Sequence, residues 1–477
     1  MSKRVPLLEE VLKYKKENNL IFSMPGNKSG IGFLRDNIGE EFVNNMGFLD
    51  ITEVDPLDNL HCPEGVIKEA QELLAKTYDV KKAYFVVNGS TAGNLASIFD
   101  AFNEGDEVLV ERNCHKSVYN GLILRKLKVR YIEPVIHEDN GIFLPPTEKE
   151  IYKAIDSCKN AKGIILTYPN YFGIGYEIFE TLIELKKRGL KIIIDGAHGA
   201  HYGISEKLPK SIVKYADYIV LSAHKTLPSL TQGSYLLINN DNNVDFYLKA
   251  FMTTSPSYLI MSSLDYSRYY LDNYGKKDYD KLIDLANKWS IKINKLNKVS
   301  ILNERDLPDR YTLDSSRYIL ILSKGYSGHK LLDYLRSMNI QCEMSFASGV
   351  VLILSPFNLE KDFEKIYNSL KKLDLSSIVD TQYQNYYSVI PKKVLEPYEV
   401  FTMEFEYVNI YESVGRISKE ALIPYPPGIP LVCAGEAISK DAIDIISGYI
   451  RNNKTVMGLE GELVKVIKKK KYSSEFK

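Results

Sequence analysis

The 477-residue chain has few cysteines, no surplus of charge and no long apolar run, and each shortage excludes a class of protein. Its 5 cysteines (Cys62, Cys114, Cys158, Cys342, Cys433) are odd in number, far apart and never spaced as CxxC. That excludes a zinc ribbon and suits reduced thiols. Its 61 basic residues balance 61 acidic ones, so no net field draws it to nucleic acid or a strongly charged membrane surface. No stretch is apolar for long enough to span a bilayer, and MSKRVPLLEEVLKYKKENN becomes charged too soon for a secretory core. A cytosolic location is expected. Neither GxxxxGK(S/T) nor GxGxxG is present, which removes the P-loop and the dinucleotide fingerprint.

What is present is an ordinary globular composition, 45% hydrophobic and 26% charged, over a length that calls for two or three domains. The pattern divides the chain into an N-terminal arm (1–45), a major domain (46–285), a small α/β domain (286–390) and a C-terminal domain (391–477). In the major domain apolar runs alternate with helical periodicity: Ala83–Val87, Glu107–Val110, Val129–Ile132, Gly163–Thr167 and Lys191–Asp195 read as strands with helices between them. This rhythm predicts an α/β fold with a large, mostly parallel sheet, whose ligands collect at the carboxyl ends of the strands.

Polar residues gather at those ends. Asn88-Gly89-Ser90-Thr91-Ala92-Gly93-Asn94 joins a strand to a helix, which places free N–H groups and two hydroxyls at a positive helix end. This suits a phosphate; a well-capped helix explains it too. Asp195 closes the run KIIID, either as a structural cap or as the partner of a cationic ligand atom. After the run Tyr218–Leu221 comes the polar turn Ser222-Ala223-His224-Lys225-Thr226, then a returning strand from Ser234 to Ile238. A lysine at the exit of an apolar strand is poorly solvated, which frees its amine to attack a carbonyl. A solvated surface lysine fits the same pattern.

A Schiff-base lysine, a phosphate cradle and a buried acid together describe a pyridoxal phosphate site: Lys225 for the aldehyde, Ser90 and Thr91 for the phosphate, Asp195 for the ring nitrogen. The competing reading is a metal hydrolase built on His198 and His201, three apart and near Asp195 and His224, which would leave Lys225 and the cradle unused.

The segments MPGNKSG, DITEVDPLDNLHCPEGVIKEAQELLA, FVVNGSTAGNLA, VLVERNCHKSVYNGL, IDGAHGAHYG, LSAHKTLPSLTQGSYL, TTSPSYLIMSSLD and PYPPGIPLVCAGE resemble the ornithine/lysine/arginine decarboxylase family in its short form. The resemblance runs nearly end to end and weakens from about 275 to 385. It implies a pyridoxal phosphate enzyme of the aspartate-aminotransferase type, fold type I, working as a homodimer or larger assembly. Carried over, Lys225 forms the Schiff base and His224 lies by the reacting carbon. Ser90, Thr91 and Ser222 hold phosphate, Asp195 pairs with the ring nitrogen, and His115 and Ala197 sandwich the ring with His198 close by. Thr254 and Ser255 reach the phosphate of the other subunit. Where the family usually reads HMPGHK and DEAH, this chain has Ser23-Met24-Pro25-Gly26-Asn27-Lys28 and Asp195-Gly196-Ala197-His198, so substrate preference is not inherited automatically.

The implied reaction is decarboxylation of a basic amino acid, arginine to agmatine first and lysine to cadaverine next, with no metal. Glu436 and Glu53 are candidates for the cationic tail, and each could equally cap a helix. A pyridoxal phosphate aminotransferase or aldolase keeps the cofactor and changes the bond broken. A non-catalytic cofactor-binding scaffold is the remaining alternative.

Overall fold

The β-branched runs of the first half form one seven-stranded sheet. Its strands are β1 (Lys82–Val86), β2 (Glu107–Glu111), β3 (Lys128–Ile132), β4 (Gly163–Thr167), β5 (Lys191–Asp195), β6 (Tyr218–Leu221) and β7 (Ser234–Ile238). The computed structural model describes residues 5–380, 390–425, 430–451 and 454–468. Across the sheet the order is β1-β7-β6-β5-β4-β2-β3. β3, β2, β4, β5 and β6 run parallel, and β7 lies antiparallel between β6 and β1. Its central strands are apolar without alternation because both faces are covered: Ile192, Ile194, Val220, Leu236 and Val110 have no exposed surface. Each such side chain contributes about 1.5–3 kcal/mol by leaving water.

The alternation read from the sequence is therefore the fold observed, with ends displaced by a residue or so. Two local features add to this. Ahead of the helix Val66–Tyr78, Asp58 folds back, accepting from the backbone N–H groups of Glu64 and Gly65 at 2.9 and 2.8 Å and of Ile67 at 3.1 Å. Those contacts hold its carboxyl below the usual range against the cost of its burial. The tyrosine-rich stretch after 257, unassigned in the sequence, is a helix Tyr258–Tyr270 that runs through a wider turn at 271–275 into the helix Lys276–Asn294.

Beyond it lies a four-stranded antiparallel sheet (Ser300–Ile301, Arg317–Ile321, Gly349–Ile353, Met344–Phe346) covered by the helices Gly328–Ser337 and Glu360–Lys372. The arm returns here, since the strand Leu20–Phe22 pairs in parallel with Ile340–Cys342. Phe22 and Phe33 of the arm are fully buried in the same apolar cluster as Tyr318, Leu320 and Phe363. A third cluster, around Ile410, Leu422, Val432 and Ile446, holds the last segment together. Among the described residues no helix is long and apolar enough to cross a membrane.

Candidate active site

Because β7 runs against its neighbours, its first residue, Ser234, lies at the same edge of the sheet as the last residues of β1 and β6. Ser90 opens the helix Gly89–Ala101 after β1, and Ser222 follows β6. Ser90 Oγ is 2.6 Å from Ser222 Oγ and donates to Ser234 Oγ at 3.1 Å. Gly89, at φ +77°, lets the chain leave the strand and start the helix directly. Three hydroxyls and the unpaired N–H groups of a 13-residue helix thus form an anion cradle. Thr91 is exposed on the same first turn. Thr254 and Ser255 are exposed on the loop after the helix Asp245–Phe251, and no hydrogen bond joins either side chain to the serine cluster. That loop meets the cradle through Thr253, whose N–H donates to Asn88 Oδ1 at 3.3 Å.

Asp195 ends β5 in the middle of this edge and is 3% exposed. Its carboxylate accepts from Asn94 Nδ2 at 3.0 Å and from the Ala197 N–H at 3.2 Å. Among the described residues no cation is ion-paired with it. Asn94 also donates to Ser117 Oγ at 3.0 Å, and Ser117 lies 2.9 Å from Nδ1 of His115, the residue capping the helix Lys116–Leu124. Burial lowers the His115 pKa, with Asp195 pulling the other way.

Lys225 lies on a single helical turn, Ala223–Thr226, where a polar turn was expected. Its Nζ is 3.1 Å from His198 Nε2. Burial lowers the proton affinity of the amine, Asp195 and Glu343 raise it, and Arg317 lowers it. His198, buried beside that amine, is driven well below its ordinary value. His224 donates from Nδ1 to the Gly233 carbonyl at 2.9 Å, so its Nε2 is the proton-free nitrogen, and burial holds its pKa at about 4.

The arm closes over this turn. The Gly26 N–H donates to the His224 carbonyl at 2.7 Å, and Asn27 Nδ2 to the Ser229 carbonyl at 2.7 Å. Asn27, where the family usually has His, therefore works as an amide staple, its Oδ1 also accepting from the Gly30 N–H at 3.0 Å. Lys28 is 2% exposed and donates to the carbonyls of Ser23 (2.6 Å) and Ile353 (3.0 Å), with burial lowering its pKa to about 7. Gly196 stands where the family's DEAH has Glu, and a Cβ there would lie 2.8 Å from Leu221 Cδ2.

The histidines of the metal reading part company. His201 Nε2 is 2.9 Å from Asp314 Oδ2, both fully buried, and the pair holds the Asp314 carboxyl down at about 2. His198 faces Lys225 and His224 faces Gly233. Among the described residues no group of three His, Cys, Asp or Glu side chains is placed to hold a metal ion. Glu436, a candidate for a cationic substrate tail, is fully buried with Oε2 on Arg112 Nη2 at 2.8 Å and on the Cys433 N–H at 2.6 Å. It fastens the C-terminal segment to the loop before His115. Glu53, the other candidate, is half-buried in the segment before Asp58.

Sequence reasoning missed Asn94, Ser234, Glu343, Lys28 and Arg317. Asn94 carried a signal, a polar residue within the apolar helix one turn after Ser90. Arg317 belongs to the small sheet and Glu343 lies just before its strand Met344–Phe346, and their approach depends on how these strands meet the arm.

A buried carboxylate held only by neutral donors suits a protonated ring nitrogen, the serine cradle suits a phosphate, and a desolvated lysine suits an aldehyde. One common cofactor asks for all three, so the fold and the site define a pyridoxal phosphate enzyme of fold type I. Residues 5–311 match the family model "Orn/Lys/Arg decarboxylase, major domain" and residues 380–470 match that family's C-terminal domain. The chain belongs to this family of amino-acid decarboxylases. Over 468 residues it is 34% identical to the uncharacterized protein YaaO of Bacillus subtilis, covering 95% of this chain and 96% of that one. It is 29% identical to the arginine decarboxylase of the same organism, covering 98% of both. The crystal structure of the lysine decarboxylase of Francisella novicida superposes with TM-score 0.78 at 21% identity, covering 97% of this chain and 81% of that one.

Proposed function

We propose that the chain decarboxylates arginine to agmatine, with lysine to cadaverine as the next candidate, and that it works in the cytoplasm as a homodimer or larger assembly supplying polyamine synthesis. The observation that carries the reaction class is the Lys225 amine, desolvated and 3.1 Å from His198, on the same sheet edge as Asp195 and the serine cradle. Arginine is favoured by the full-length likeness to a relative named arginine decarboxylase. We assign the segments 1–45, 46–285, 286–390 and 391–477 as arm, major domain, small domain and C-terminal domain.

Ser90, Ser222 and the helix N-terminus beside Thr91 would hold the phosphate, with Thr254 and Ser255 serving the partner subunit's cradle. Asp195, fixed by Asn94, would hold the ring nitrogen protonated, and His115 and Ala197 would flank the ring beside His198. When bound, the cofactor supplies the electron sink that takes the pair released with CO2. The α-carbon then needs a proton. His224 is neutral near pH 7, with its proton committed to Gly233, so it orients and accepts. Lys225 Nζ, its affinity for a proton lowered by burial, is the better donor.

The test is release of CO2 and amine from cofactor-loaded protein given arginine, lysine and ornithine separately. Agmatine from arginine, absent with Lys225→Ala, is the expected result. A keto acid in place of CO2 would make the chain an aminotransferase, and no turnover of any of the three would leave a scaffold.

A further inference from the structure

A closed circuit of contacts surrounds Lys225. Its Nζ lies 3.1 Å from His198 Nε2, and the His198 ring rests against Tyr171 with centroids 4.8 Å apart. The Tyr171 hydroxyl donates to Glu343 Oε1, and Glu343 Oε2 accepts from the Met24 N–H at 2.9 Å. Two residues on, the Gly26 N–H donates to the carbonyl of His224, the residue before Lys225. The circuit joins the ends of β4, β5 and β6 to the small sheet and the arm. Its one carboxylate is Glu343.

We propose that Tyr171 and Glu343 are positioning residues: the Glu343 carboxylate, anchored by the arm and by the phenol, sets the charge on Lys225 Nζ, and the Tyr171 ring holds His198 within reach of that nitrogen. This rests on Lys225 being the reactive lysine. The charged and titratable groups acting on it are Asp195 from β5, His198, His115, the adjacent His224, Arg317 of the small sheet and Glu343. Asp195 and Glu343 favour the protonated nitrogen, and Arg317 opposes it. Once Asp195 faces the cofactor's ring nitrogen, Glu343 is the carboxylate of this set left to act on Lys225. Glu343 also acts on Lys28, whose proton affinity is lowered chiefly by burial and raised by Glu343. The packing of the arm and the small domain therefore fixes a carboxylate that acts on the reactive amine, linked to it through Tyr171 and His198.

The test uses the full chain loaded with pyridoxal phosphate and reads the pH midpoint of the Lys225-dependent cofactor absorbance. Glu343→Gln keeps both neighbours, since its amide oxygen still accepts from Met24 and a phenol accepts as well as donates. A merely structural role would leave the midpoint where it was. The expected result is a fall of about one pH unit, because the charge favouring the protonated nitrogen is gone. Tyr171→Phe, which frees the carboxylate without removing it, is expected to give a smaller fall in the same direction, and it carries the test should Glu343→Gln not fold. An exposed acid, Glu10→Gln, should give no change. An unmoved midpoint in Glu343→Gln, or in Tyr171→Phe when that variant alone folds, overturns the proposal. If no Lys225-dependent band forms at all, the cofactor reading has failed. The same comparison is then made on the amine itself, from the pH dependence of reductive methylation of Lys225 followed by peptide mass spectrometry. A lower midpoint in the variant supports the proposal, and an equal one overturns it.

Discussion

The floor and the roof of the site are built on opposite principles. The floor (Ser90, Ser222, Asp195, Lys225) comes from strand ends of a single sheet, each at or within four residues of the end of its strand. The roof comes from segments far apart in sequence: Glu343 and Met24 are 319 residues apart, and Lys28 and Ile353 are 325 apart. A parallel sheet places its functional residues by counting along each strand, whereas a roof depends on how separate bodies pack. The floor should therefore tolerate loss of roof contacts and still bind cofactor, while damage to the floor should reach cofactor binding or the chemical step directly.

The sharpest separation is expected from Asp195→Asn, which removes the carboxylate proposed to face the cofactor's ring nitrogen. Turnover should fall by roughly 100-fold to 1,000-fold, the usual cost of losing a fixed charge aimed at developing charge. Steady-state kinetics on cofactor-saturated protein would measure it, and activity within a few-fold of the unsubstituted chain would break the comparison on the floor side.

Next comes the seam where floor meets small domain, His201 and Asp314. The Asp314 carboxyl is held at about 2, below its ordinary value of 3.8, so its contribution to stability is fully present above about pH 4 and is lost as the pH falls towards 2. Asp314→Asn should cost roughly 2 kcal/mol or more at pH 7, and its stability should fall less steeply than that of the unsubstituted chain between pH 4 and 2. Denaturant unfolding across that range would show it. Parallel curves would mean that the pair does not couple to folding.

The roof is addressed by Gly26→Ala. A Cβ on Gly26 would lie 2.6 Å from the Thr226 carbonyl carbon and 2.7 Å from the Leu227 nitrogen, so the arm must lift from the turn carrying Lys225. The cost is about 1–3 kcal/mol of stability. Turnover should fall while cofactor absorbance is retained, and loss of the absorbance would show that the roof is part of the cofactor's own binding site.

The smallest effect is expected from Ser234→Ala, which removes one hydroxyl that accepts from Ser90 at 3.1 Å and leaves Ser222 in place. Cofactor affinity should weaken by about 1 kcal/mol, roughly five-fold, in an equilibrium titration. A hundred-fold loss would make Ser234 a direct phosphate ligand rather than a support.

How much of this was legible follows the same division. The strands, their alternation with helices and the polar residues at their exits could be read because burial on both faces writes an unbroken apolar run and the turn chemistry follows at once. Ser234 was visible as the start of a strand, yet its place beside Ser90 depends on β7 running antiparallel, which no local pattern states. Glu436 looked like a free acid ahead of a helix. Only the packing shows Arg112, 324 residues earlier, taking its carboxylate. Lys28 in the arm was one of many lysines until its two carbonyl partners were known. The departures at Asn27 and Gly196 were readable as differences, and the fold explains what the first does, since its amide ties the arm to Ser229 and to the Gly30 N–H.

The most direct test of the central claim is to load the protein with pyridoxal phosphate, reduce it with borohydride and locate the phosphopyridoxyl mass by peptide sequencing. The account predicts a single modified residue, Lys225, with the label absent from Lys225→Ala. A label fixed on another lysine, or persisting in that variant, would contradict it.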